Sequence, residues 1–279
     1  MSYREYVPCQ ALRPYVECYW HHIARNPEQG KDLPVQRCLP LGTVEIIVQV
    51  DNVMADIFND HRQLWEKSNR IYLTGLYTET AIWRAQPGTL MFGIRLRPEG
   101  LMDLFRIPAC EILNTVVDAE AILGIRARRM FEEMLGVQDT AALAGIAEKF
   151  LLDRLRNGKN DRNYVADACR LIRNSSDGLS VETLSETLYI SKRQLQRSFK
   201  EAVGTSPKTY QRIIRFRNAY KYARNKQSGN LKWSDVCYEF GYADQAHFIR
   251  DFRSFTGDAP SAMTQDTLSF FQTLEAVSG

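Results

Sequence analysis

The stretch Ser180–Pro207, SVETLSETLYISKRQLQRSFKEAVGTSP, is echoed by Leu231–Pro260, LKWSDVCYEFGYADQAHFIRDFRSFTGDAP. A shift of 53 residues lays Leu195 on Phe248, Arg197 on Arg250, Phe199 on Phe252, Lys200 on Arg253, Gly204 on Gly257 and Pro207 on Pro260. An internal repeat constrains architecture before any local pattern does, and two copies are too few for a solenoid. The repeat therefore predicts two similar small modules side by side.

Each copy has the grammar of a helix-turn-helix. Val181, Leu184 and Leu188 recur at helical spacing after Ser180, an N-cap residue. The pattern breaks at Tyr189-Ile190, and Ser191 then caps a second helix carrying Leu195, Phe199 and Val203. Gly204 suits the left-handed residue that closes such a helix, and Pro207 suits the first turn of the next. In the second copy Val236 and Phe240 lie on one helix and Gly241 at the turn. Asp244 is the cap, Phe248, Phe252 and Phe255 line the second helix, and Gly257 and Pro260 follow.

With Leu195 and Phe199 inward, Lys192, Arg193, Gln196, Arg197 and Lys200 fall on the outer side of their helix, opposed only by Glu201. The second copy offers Gln245, Ala246, Ile249, Arg250 and Arg253. A charged helix face is ordinarily just a solvated one. Twice in one frame, it predicts a surface that neutralises phosphates and reads base edges.

Tyr164–Thr264 resembles the AraC/XylS family of bacterial transcription regulators. The resemblance is carried by the two helix-turn-helix copies, both F-x4-G-x2-P endings, and Pro207–Ala223, PKTYQRIIRFRNAYKYA. In the family that last segment is one helix bridging two modules, and its typical Tyr, Arg and Ala match Tyr210, Arg215 and Ala219. The family's GF-S/D-Q-S/A-x-F signature stands here as Gly241-Tyr242-Ala243-Asp244-Gln245-Ala246-His247-Phe248. The resemblance implies that both second helices enter successive major grooves of double-stranded DNA. It puts Arg193, Gln196 and Arg197, then Gln245, Ala246, Ile249 and Arg250, in base-contacting slots. Two departures matter. Met263-Thr264 replaces an aromatic-Arg pair, and Ala246 and Ile249 offer only apolar contact, suited to thymine methyls.

Length and charge agree with two domains. The chain has 279 residues and a net charge of +3. Residues 159–263 hold 18 Lys+Arg against 11 Asp+Glu, whereas residues 1–158 carry a net −2 and residues 264–279 a further −2. One basic surface is expected, not a protein basic throughout. The six cysteines, at 9, 18, 38, 110, 169 and 237, form no C-x-x-C, so reduced cytoplasmic thiols and no metal are expected. MSYREYVPCQ lacks the pattern of a signal peptide, and no long apolar run predicts a membrane span.

The N-terminal region reads as strands: Tyr15–Ile23, Thr43–Val50, Arg70–Tyr77, Thr80–Ala85 and Leu90–Leu96, a spacing that fits a sandwich or a barrel. Glu99–Phe105 reads as a short helix and Pro108–Leu113 as another helical piece. Helices follow over Ile122–Leu135 and Thr140–Arg156, and the polar 157–161 segment marks a linker. A helix over Arg162–Arg173 opens the next part, and the tail after Thr264 carries apolar residues suited to a short docked helix. LPLGTVEIIVQV and GIRLRPEGLMDLF-x-x-PA resemble segments of a sensor domain found on this family, which implies a cupin-like β-barrel followed by helices. In the family such helices often pair two chains; here their apolar faces equally suit covering the barrel.

The expected chain is thus multidomain α+β: a sensor and dimerisation domain over 1–157, a double helix-turn-helix domain over 162–264, and a tail over 265–279. Trp20, Tyr19, Trp83, Tyr72 and Tyr77 are candidates to line the barrel or simply to fill its core. Strand alternation puts Arg95 and Arg97 opposite Ile94 and Leu96, hence outward if the apolar face is buried; pointing inward, either offers a guanidinium to an anion. The adjacent His21-His22 face opposite ways, which is poor metal geometry. The expected function is non-enzymatic: a sequence-specific regulator without cofactor, answering to a small-molecule effector or a protein partner and touching RNA polymerase. The alternative is a DNA-tethered repair enzyme with Cys9, Cys18 or Cys38 as nucleophile.

Overall fold

The computed structural model describes residues 2–24, 35–60, 62–157, 164–175, 178–225 and 233–260. The 158–161 part of the expected linker, the start of a helix at Arg162, Met263-Thr264 and the tail lie outside the described residues.

Among the described residues ten strands build the N-terminal region: β1 (Ser2–Tyr6), β2 (Val16–Ile23), β3 (Gln36–Cys38), β4 (Val44–Gln49), β5 (Asp56–Asn59), β6 (Leu64–Lys67), β7 (Ile71–Thr74), β8 (Ala81–Arg84), β9 (Leu90–Leu96) and β10 (Val116–Asp118). They form two antiparallel sheets, in the orders β1-β2-β9-β4-β7-β10 and β3-β8-β5-β6. Among the described residues both sheets are open, each ending in edge strands, so they face each other without closing into a barrel.

The six-stranded sheet is buried on both faces. Val44, Ile46 and Val48 of β4, Phe92, Ile94 and Leu96 of β9, and Tyr19 of β2 turn toward the main core. Cys18, Trp20, Ile47, Tyr72 and Met91 turn the other way and meet Ile57 and Trp83 of the smaller sheet. Burial on both sides explains why TVEIIVQV is nearly continuously apolar and does not alternate. Tyr19 accordingly sits on the helix-covered side and not in the interior between the sheets.

Helix α1 (Pro98–Phe105), a 3-10 turn (Ala109–Glu111), α2 (Ala119–Leu123), α3 (Ile125–Met134) and α4 (Thr140–Asn157) cover the first face. The single helix expected over Ile122–Leu135 is broken at Gly124, whose φ of 72° lies in the left-handed region that glycine reaches most readily. Met130, Phe131 and Met134 of α3, with Leu143, Phe150 and Leu151 of α4, enter the main core. The apolar faces of both helices therefore cover the sheet, and what they leave outward is largely polar.

The C-terminal region is helical: α5 (Tyr164–Asn174), α6 (Val181–Thr187), α7 (Lys192–Val203), α8 (Pro207–Asn225), α9 (Trp233–Glu239) and α10 (Gln245–Thr256). Helix α8 is buried over most of its circumference, through Tyr210, Ile213, Ile214, Phe216, Ala219, Tyr220 and Ala223. The C-terminal end of α7 packs on the 3-10 turn, and α5 on α1. Two buried ion pairs cross this junction. Arg173 donates to Glu99 at 2.6 Å and to the Tyr210 hydroxyl at 3.0 Å. Arg217 pairs with Glu17 and also donates to the Leu41 carbonyl at 3.1 Å. Burial by itself would raise the Glu17 carboxyl, but Arg217 outweighs it and holds the group at about 2.

Arg217→Ala leaves a buried carboxylate without its partner, and is expected to cost about 3 kcal/mol at neutral pH in denaturant unfolding. The stabilisation from Glu17 is complete above about pH 4.5 and is lost as pH falls through about 2, because its folded pKa is the lower one. A loss below about 1 kcal/mol would show the pair to be effectively solvated.

Candidate nucleic-acid interface and the cavity between the sheets

The second helices of the two copies are capped and closed at equivalent positions. Ser191 Oγ accepts from the Gln194 amide at 3.2 Å, and Asp244 Oδ1 accepts from the His247 amide at 2.6 Å. At the other ends Gly204 and Gly257 have φ of 89° and 78°, and each donates its amide 2.9 Å to the carbonyl four residues back. The first helices repeat with a different offset. Ile190 donates to the Ser185 carbonyl and Tyr242 to that of Cys237, with left-handed residues at Tyr189 and Gly241. These pairs are separated by 52 residues, so the second turn contains one extra residue, Ala243, before its cap.

Lys192, Arg193, Gln196, Arg197 and Lys200 of α7 are exposed, as are Gln245, Ala246, Arg250 and Arg253 of α10. Ile249 is half-buried and packs partly on the core. Of these cations, among the described residues, only Lys192 has a carboxylate partner, Glu182 at 2.5 Å. The remaining positive charges face solvent. Their helices are fixed to each other through α8: Phe199 meets Tyr210 edge-on at 5.7 Å, while Phe216 meets Phe252 at 5.6 Å and Phe255 at 5.0 Å. Arg212 of α8 adds an ion pair to the buried Asp251 of α10 at 2.7 Å.

A cavity of about 80 Å³ lies between the two sheets, walled by Trp20, Ile47, Ile57, Tyr72, Trp83 and Met91, with Tyr77 and Ile82 toward its half-exposed side. Arg95 points into it, not outward, because the second sheet covers that face. Its guanidinium is engaged by Glu45 at 2.6 Å, Glu5 at 2.7 Å and the Tyr3 hydroxyl at 3.2 Å. Arg97 instead stands at the N-cap position of α1, without a side-chain capping bond, and donates to the Arg13 carbonyl at 3.2 Å. The charged Glu45 inside TVEIIVQV was the available signal for a buried partner. Burial depresses the His22 imidazole to about 4, so it is neutral at physiological pH. Burial also raises the Cys18 thiol, and pushes that of Cys38 up to about 12, so neither supplies a thiolate. Among the described residues no group of three or more His, Cys, Asp or Glu is placed to hold a metal.

The lip of this cavity touches α10. Arg37 of β3 lines the cavity and pairs with Asp258, just past the helix, while donating to the Thr256 carbonyl at 3.4 Å. Thr80, immediately before β8, donates to the Phe255 carbonyl at 2.5 Å. Nothing in the sequence marks Arg37 or Thr80, whose partners lie far along the chain.

Residues 184–266 match the family of helix-turn-helix domains, which spans both capped helices and α8. The chain carries a helix-turn-helix domain. Ahead of it, residues 4–118 match a domain of unknown function, DUF6597. The HTH-type transcriptional regulator GbdR of Pseudomonas aeruginosa is 23% identical over 130 residues, covering 42% of this chain and 35% of its own length. The chain thus spans about a third of the curated relatives it matches. Among solved structures, ToxT of Vibrio cholerae aligns over 93% of this chain and 99% of its own at 11% identity and a TM-score of 0.48. The AraC-like activator CuxR aligns over 78% and 94% at 13% identity and a TM-score of 0.25.

Because the folded His22 titrates at about 4 and an unfolded histidine near 6.5, the unfolded chain binds more protons between these values. Stability is therefore expected to fall by roughly 3 kcal/mol from this residue as pH drops from 6.5 to 4. His22→Gln should flatten that slope in urea titrations across the interval; an unchanged slope would assign the acid sensitivity elsewhere.

Proposed function

We propose that this chain is a sequence-specific, double-stranded-DNA-binding transcription regulator acting in the cytoplasm. The observation that carries the reading is the pair of helices α7 and α10, capped at equivalent positions, each with an outward cationic face and both seated on α8. In this reading residues 162–264 bind DNA and residues 1–157 receive the signal. Arg193, Gln196 and Arg197, with Gln245, Ala246, Ile249 and Arg250, face the bases. Lys192, Lys200 and Arg253 hold phosphates. Membrane attachment through a spanning helix is no part of this reading, since no helix among the described residues is long and apolar enough to cross one.

Effector control is part of the same reading. Arg37 on the cavity wall pairs with Asp258, and Thr80, next to the lining residue Ala81, donates to the Phe255 carbonyl, so in this reading occupancy of the cavity bears on the placement of the second module. RNA polymerase and a second copy of the chain complete the proposed partners. Because α3 and α4 use their apolar sides in the core, pairing of two chains would use their polar outer faces. Catalysis by a cysteine finds no support in the thiols described above.

The test begins with selection of a bound duplex from random sequence by the full-length chain. Arg197→Ala or Arg250→Ala is then expected to weaken the selected site by about 1–3 kcal/mol and relax its sequence preference. Lys200→Ala or Arg253→Ala should weaken all duplexes alike and flatten the salt dependence. Adding about five base pairs between the two half-sites turns one to the opposite face of the duplex and should uncouple the modules. Equal affinity for selected and random duplex at physiological salt would overturn the reading.

A further inference from the structure

We propose that the cavity between the two sheets is a binding site for a compact, uncharged, largely apolar molecule bearing a hydrogen-bond acceptor, and that it rejects carboxylates. The proposal deepens the regulator reading by naming the class of signal. It stands on three features of the cavity itself.

The first is its walls. Trp20, Ile47, Tyr72 and Met91 from one sheet face Ile57 and Trp83 from the other, and together they make the lining predominantly apolar and aromatic. Trp20 lies flat over Gly93, where a Cβ would come within 1.9 Å of the indole. Glycine at that point of a central strand is thus what admits the ring. The space of about 80 Å³ is about half the ~150 Å³ apolar cavity that accepts the six carbons of benzene. It suits a compact molecule of about six heavy atoms only with part of it extending into the half-exposed side.

The second is charge. The two cationic side chains on the wall are already taken. Arg95 is shared by Glu45 and Glu5, and Arg37 faces Asp258 at the lip. Two carboxylates around one buried guanidinium leave an excess of negative charge beside the cavity. An entering anion would lose its hydration, find no unengaged cation on the wall, and meet like charge.

The third is an unused donor. Trp20 is 5% exposed and its Nε1 finds no acceptor in the structure. A buried N–H without a partner is costly, and a ligand oxygen reaching it would relieve that cost. An amide, alcohol or ketone supplies such an oxygen without bringing a charge.

The experiment uses the full-length chain without DNA, so that its failure and a failure of DNA specificity are read separately. Isobutyramide and isobutyrate have the same shape and differ in charge. Each is titrated by tryptophan fluorescence and by calorimetry. Saturable binding of isobutyramide, at least tenfold tighter than isobutyrate, is expected. Glu45→Gln, which releases one carboxylate from Arg95, should shrink that preference at least tenfold by admitting isobutyrate. Ile47→Trp, which fills the space, should abolish amide binding while cooperative unfolding is retained; if this variant does not fold, Glu45→Gln still decides. Four results would overturn the proposal: isobutyrate binding as tightly as the amide to the unaltered chain, no saturable amide binding up to the solubility limit, an unchanged preference in Glu45→Gln, or amide binding that survives in folded Ile47→Trp.

Discussion

Phe216 touches Phe252 and Phe255 on one side of α8, while Tyr210, a turn and a half earlier, touches Phe199. Both second helices are therefore held by the same buried helix, and neither completes its core without it. Burying that helix on nearly all sides removes large aromatic area from water, the strongest non-directional force available to a fold of this size. The same burial commits Ile213 and Ile214 to the N-terminal region, where Ile214 lies against Gly42 and leaves no room for a side chain there. One helix thus sets the relation of three bodies: two modules and the sheets beside them.

Charge refines what apolar burial assembles. Arg217 with Glu17 and Arg173 with Glu99 sit at the junction, and Arg95 with Glu45 and Glu5 sits between the sheets. Buried pairs of this kind contribute little net stability compared with apolar residues of similar shape, but breaking one is expensive. They therefore act chiefly against alternatives. A sheet or helix docked in another register leaves one of these charges unpaired. The exposed cations on α7 and α10 follow the opposite rule: apart from Lys192, which pairs with Glu182, they have no carboxylate partner among the described residues and keep their charge available at the surface.

How much of this could be read in advance depended on the distance over which the cause operates. The helix caps, the closing glycines and the breaks between helices are decided by neighbours within four residues, and Ser180, Ser191, Asp244, Gly204 and Gly257 all stand where local chemistry puts them. The strands β2, β4, β7, β8 and β9 were visible as apolar runs. The short strands β1, β3, β5, β6 and β10 were not, since three to five residues, many of them half-exposed, carry too little pattern. Gly124 was hidden inside an apolar periodicity that continues across it. The inward course of Arg95 was marked only by Glu45 in the apolar run of β4, because the second sheet that covers that face is remote from it in sequence. The one-residue offset at Ala243 escaped because the second helices, which dominate the likeness, keep the longer spacing.

Gly204 and Gly257 occupy the same slot in the repeat, yet their surroundings differ. A side chain at Gly204 would press on the Ala109 carbonyl at 3.0 Å and on Leu113, whereas nothing approaches within 4 Å of the corresponding point at Gly257. Duplication has thus produced a matched pair with unequal tethers. The leading member is seated flush against the sensor side, and its glycine answers to helix closure and to that seat at once. The trailing member's glycine answers to helix closure alone, so drift in sequence there is paced by the helix and not by a neighbour. Two parts built on one plan thus differ in what a side chain at the same slot would meet.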